Sequence, residues 1–151
     1  ILLPRIEMTA VQSPAIKNVL LKGTERILLV DDEKSLVDLW QEQFESLGYT
    51  VIGMQSSLDA LEVFQKAPDS FDLVLTDMTM PLLTGDVLAR KILAIRPDMP
   101  IIMCTGYSER ISEERVQELG IKAVAMKPML VNEILKIIRD VLRSSPTVPQ
   151  I

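Results

Sequence analysis

The sequence predicts an α/β protein: one parallel sheet of five strands with helices over both faces. Three observations carry this. Short apolar runs alternate with longer amphipathic segments. The apolar runs lack strict polar–apolar alternation, as expected of strands buried on both faces. Acids, a threonine or a lysine stand at the ends of four of the five runs, where an open parallel sheet binds its ligand.

"RILLV" (26–30) is the first strand. "SLVDLWQEQFESLGY" places Leu36, Leu39, Trp40, Phe44 and Leu47 at helical spacing, with Gly48 as the stop. "TVIGM" (50–54) is the second strand. "SLDALEVFQKA" is a helix with Leu58, Leu61 and Phe64 inward and Ser57 as N-cap. "FDLVLT" is the third strand. "TGDVLARKILAIRP" is a helix with Val87, Leu88, Ile92 and Ile95 on one face. "PIIMCT" is the fourth strand, and "SERISEERVQELG" is a more polar helix ending at Gly120. "KAVAM" and the amphipathic "LVNEILKIIRDVLR" complete the alternation.

The folded region is therefore 25–143. Residues 1–24, with Pro4, Pro14 and Gly23, read as a linker, and 144–151 as a flexible tail. The chain begins at Ile1 rather than methionine, which points to a fragment or a processed form.

Composition narrows the function. Of 151 residues, 48% are hydrophobic, enough for a real core. The net charge of −5 argues against direct nucleic-acid binding. No apolar run is long enough to span a membrane, and no signal-peptide pattern is visible. The single cysteine, Cys104, has no partner for an internal disulfide, which fits a reducing, cytoplasmic setting. A longer parent protein is free to be membrane-anchored. With no histidine in the chain, His-based triads, His metal ligands and a phosphohistidine are excluded. The eight methionines read as gap fillers.

The strand ends then matter most. Strand one ends in Asp31-Asp32-Glu33, strand three in Asp77, strand four in Thr105-Gly106 and strand five in Lys127-Pro128. Strand two ends without charge, which fits an edge position in the order 2-1-3-4-5. Each feature has a plain alternative: capping acids, a turn aspartate, an ordinary turn, a solvated lysine. Their coincidence on crevice-facing ends does not.

Carboxylates crowded into one crevice call for a cation, and ligands made only of oxygen favour magnesium over zinc. A lysine and a threonine hydroxyl opposite would complete a clamp for a phosphoryl group. Without histidine the attacking group must be a carboxylate, and Asp77 is the single acid placed for it. The cation and the lysine are expected to favour its ionised form.

The motifs "ILLVDDE", "DLVLTDMTMPLLTG", "PIIMCTG" and "AMKP" resemble the receiver domain of two-component response regulators, over Glu25 to Arg143. The resemblance implies a flavodoxin-like (βα)5 fold and magnesium-dependent phosphoryl transfer to an aspartate. The donor would be a histidine kinase or a histidine phosphotransfer domain. By that resemblance Asp77 is the phosphoacceptor. Asp31, Asp32, Asp77 and the Thr79 backbone carbonyl form the metal site. Thr105 is the switch hydroxyl, Lys127 binds the phosphate, and the side chains of Thr79 and Tyr107 tune its lifetime. The face from Ser108 to Arg143 is implied as an interaction surface, and a homodimer is compatible with it. The chain departs from the family at Val124, where Tyr or Phe is usual, and at Met129, where Phe is common. "ILLPRIE" resembles the end of a kinase ATP-binding domain, so a hybrid sensor histidine kinase is the expected parent.

Two rival functions follow from the same residues. A haloacid-dehalogenase-type phosphatase needs an acid two residues after its nucleophile, where this chain has Thr79. A pure interaction module would neither bind magnesium nor accept phosphate.

Overall fold

The computed structural model describes residues 22–106 and 111–143. The "ILLPRIE" segment, most of the linker, the tail and Tyr107 lie outside the described residues.

Among the described residues, strands β1 (Arg26–Val30), β2 (Thr50–Met54), β3 (Leu73–Asp77), β4 (Ile101–Thr105) and β5 (Ala123–Met126) form one sheet. All its pairings are parallel, in the order β2-β1-β3-β4-β5. The helices are α1 (Lys34–Ser46), α2 (Ser57–Lys66), α3 (Gly85–Ile95), α4 (Glu113–Leu119) and α5 (Val131–Arg143). The predicted order and the edge position of β2 hold.

The strands alternate after all, between two apolar surroundings rather than between core and water. Ile27, Leu29, Leu73, Leu75, Ile102 and Cys104 pack with Trp40 and Phe44 of α1 and with Ile134, Leu135 and Ile138 of α5. Leu28, Val30, Val74, Ile101 and Met103 pack instead with Phe64 of α2, Leu88 and Ile92 of α3 and Leu119 of α4. Successive strand residues face opposite sides, so two apolar faces require an unbroken apolar run.

Helix stripes differ from the sequence reading in detail. Leu39, Leu58 and Ile95 are exposed. The buried positions are Val37, Trp40 and Phe44 in α1, Ala60 and Phe64 in α2, and Leu88, Ala89 and Ile92 in α3. Each helix meets the sheet through a narrower stripe than its apolar content suggests, so the outermost apolar residues stay in water. The N-cap of α2 is Ser56, which accepts from the Asp59 amide, and Ser57 is the first helical residue. Gly120 ends α4 at φ 80°, in the left-handed region where a side chain is strained.

Candidate functional site

The ladder between strands delivers each polar group to one edge of the sheet. Beyond Val30, the Asp31 amide donates to the Met54 carbonyl at 3.1 Å, prolonging the β1–β2 pairing by one residue. Asp31 is thereby buried, and its Oδ1 accepts from the Glu33 amide at 2.9 Å as the chain turns into α1. Asp31 is therefore not the cap of that helix; Glu33 occupies the N-cap position. Asp32 is exposed beside it. Asp77 ends β3 only 6% exposed, opposite Cys104 in the register.

The loop after Asp77 returns at once. The Gly85 amide donates to the Met78 carbonyl at 2.8 Å, which brings the start of α3 back onto the strand end. A Cβ on Gly85 would collide with the Asp77 carbonyl, the Met103 sulfur and the Met78 Cα, so this approach requires glycine. At the loop tip, Leu82 has φ 71° and is 84% exposed.

Across the crevice, Thr105 ends β4 fully buried, and its carbonyl accepts from the Lys127 amide at 2.7 Å. Lys127 reaches back over the sheet edge. Its Nζ lies 2.9 Å from Asp31 Oδ2 and 3.1 Å from Asp77 Oδ1. The Lys127–Pro128 peptide is cis. Carboxylate oxygens of Asp31, Asp32 and Asp77 all fall within 4.8 Å of one another.

One ammonium stands against three clustered carboxylates and touches two of them. Burial, then the Asp31 charge, push the Asp77 carboxyl up to about 6 against the pull of Lys127. Lys127 alone does not outweigh that burial; the sequence expectation counted the lysine and a cation together and left desolvation out. Burial alone would lower Lys127, but its hydrogen bonds and charge contacts with Asp31 and Asp77 hold its ammonium above the usual range. The two directions are compatible: Lys127 gains from two carboxylates, and each carboxylate shares one lysine. Cys104, beneath the site, is pushed up to about 12 by burial and stays a thiol.

The oxygen-only trio with surplus negative charge fits a hard divalent cation of the magnesium type. The structure thus gathers Asp31, Asp32, Asp77 and Lys127, with Thr105 joined to Lys127 through the backbone. Thr79 lies exposed in the loop after Asp77. Val124 is half-buried against the α2–α4 core, opposite Met103 in the register. Sequence reasoning missed two residues. Gly85 was readable only as part of a turn. Met126, read as a gap filler, receives the Thr105 hydroxyl on its sulfur at 3.7 Å. Its position next to Lys127, at the end of a strand paired with β4, was the available signal.

Residues 27–139 match the family profile described as the response regulator receiver domain. The chain is 30% identical to the non-phosphorylated HemR receiver domain of Leptospira biflexa, with a TM-score of 0.74 over 84% of this chain and 99% of that one. The response regulator TrrA of Thermotoga maritima, in complex with Mg(2+)-BeF, is 27% identical, with a TM-score of 0.69 over 78% of this chain and 98% of that one. Sensor kinase CckA of Brucella abortus is 34% identical over 89 residues, 59% of this chain and 9% of that protein. The chain spans about half or less of the length of the curated relatives it matches.

Proposed function

Because the chain belongs to the response regulator receiver domain family, we propose that it takes a phosphoryl group from a partner's phosphohistidine onto Asp77. Receiver domains are the phosphoacceptors of two-component signalling and bind magnesium at their acidic pocket. For this chain we assign the metal to Asp31, Asp32, Asp77 and the Thr79 backbone carbonyl. Thr105 and Lys127 are assigned to the phosphoryl oxygens. The observation that carries the reading is Lys127 Nζ bridging Asp31 and Asp77 inside the carboxylate trio.

The chain's own groups define the step. An ionised Asp77 oxygen forms a bond to phosphorus as the bond from phosphorus to the donor's imidazole nitrogen breaks, and the electron pair stays on that nitrogen. With its carboxyl pushed up to about 6, Asp77 is still largely anionic at neutral pH, so no general base is needed. Lys127 sits within reach of the incoming oxygens as a fixed positive charge. Thr105 offers a buried hydroxyl donor on the other side. A bound magnesium ion would neutralise the carboxylates and polarise the phosphoryl oxygens.

The haloacid-dehalogenase reading gives way to the family. The donor is a histidine kinase or phosphotransfer domain, and a hybrid sensor kinase is the parent we infer, supported by the likeness to a sensor kinase and by "ILLPRIE". Acetyl phosphate with magnesium should label the protein, and Asp77→Asn should abolish labelling. Undiminished labelling of that variant overturns the Asp77 assignment.

A further inference from the structure

Thr105 is fully buried, and among the described residues the Met126 sulfur, 3.7 Å away, is the partner of its hydroxyl. A buried hydroxyl ordinarily finds an oxygen acceptor, and a thioether is a weak one. The contact follows from the sheet. Thr105 and Met126 are register partners at the ends of β4 and β5, so their side chains leave the sheet on the same face. Two residues earlier on that face stands Val124, opposite Met103. From its partner position opposite Thr105, the flexible methionine side chain reaches the hydroxyl.

We propose that Met126 is a positioning residue: its sulfur holds the Thr105 hydroxyl in the unphosphorylated protein and releases it to a phosphoryl oxygen on Asp77. The proposal rests on the roles assigned above to Asp77 and Thr105. A threonine has one O–H to donate, so the sulfur and the phosphoryl oxygen compete for it. The stronger the resting acceptor, the smaller the gain when the hydroxyl turns to phosphate. A thioether sets that resting hold low, while keeping the hydroxyl from being orphaned in the core.

The test uses the full chain with magnesium and beryllofluoride as the phosphoryl mimic. Met126→Leu keeps the volume and removes the acceptor, so the mimic should bind about two- to fivefold tighter. Met126→Gln supplies an amide oxygen and should shift affinity the other way, by a similar factor. Each substitution is then repeated on Thr105→Val. The proposal requires both shifts to vanish there, because no hydroxyl remains to be held. A Met126→Leu shift that persists without the hydroxyl overturns it, as does an unchanged affinity in both Met126 variants while Thr105→Val weakens binding. If Thr105→Val alone leaves affinity unchanged, the role of Thr105 fails, and the proposal fails with it.

Discussion

The Lys127 ammonium stands 3.1 Å from the Asp77 carboxylate without neutralising it. The same ammonium is 2.9 Å from Asp31, and the Asp77 carboxyl remains pushed up to about 6. A single lysine spread over two buried acids leaves a site short of positive charge.

Removing that lysine should therefore be costly mainly without metal. Lys127→Met is expected to lower metal-free stability by about 1–3 kcal/mol, less than for a fully buried pair because the lysine is partly solvated. Millimolar magnesium should recover much of the loss. Urea unfolding with magnesium and with chelator measures both; equal losses in the two conditions would count against the charge-deficit account.

The raised Asp77 carboxyl predicts a pH dependence with a definite sign. Its folded value of about 6 lies above the ordinary 3.8, so between these values the folded state holds the proton more tightly than the unfolded state. Metal-free stability should accordingly fall as pH rises through this window and stay lowered above it. Asp77→Asn removes the deficit. It should stabilise the metal-free protein by on the order of 2–3 kcal/mol at neutral pH, with the gain fading in acid. Melting curves across this range, taken in chelator, provide the check; a gain independent of pH would contradict it.

Gly85 makes a backbone prediction. A methyl group there meets the Asp77 carbonyl and the Met78 Cα, neither of which is the end of a flexible side chain. Gly85→Ala should cost about 1–3 kcal/mol. It should also weaken magnesium binding by displacing the end of β3, which calorimetric titration would report. Wild-type affinity in a destabilised variant would confine the effect to packing.

Arg115 of α4 reaches Asp86 in the first turn of α3 at 3.4 Å, and Asp86 also accepts from the Thr84 hydroxyl. Burial alone would raise the Asp86 carboxyl, but hydrogen bonds from Thr84, the Val87 amide and Arg115 hold it below the usual range. This ties the loop after Asp77 to α4 by a route that does not pass through Val124. Beryllofluoride should change amide exchange within 111–143. Arg115→Ala should shrink that change in α4 while leaving labelling of Asp77 intact. A full exchange response in the variant would exclude this link.

Much of this was readable beforehand, because strands and the chemistry at their ends are patterns local in sequence. The runs around Ile27, Leu73 and Ile101 announced buried parallel strands, and the acids, the threonine and the lysine after them marked one edge. What escaped depends on distances across the fold. Leu39 and Ile95 look as apolar as their buried neighbours, and only the helix orientation leaves them in water. The direction of the Asp77 shift needed the depth of its burial and the sharing of Lys127. Met126 required knowing that β4 and β5 end together, and Arg115 that α4 lies beside α3.

The division of strand residues between two apolar faces gives the sheet the character of an insulating partition. Asp77 shares its parity with Leu73 and Leu75, on the α1 and α5 side, whereas Thr105 shares its parity with Ile101 and Met103, on the other. A group held by both residues would fasten the partition at its rim, where the two compartments meet. Substitutions deep in one compartment should then leave the other quiet until that fastening is made.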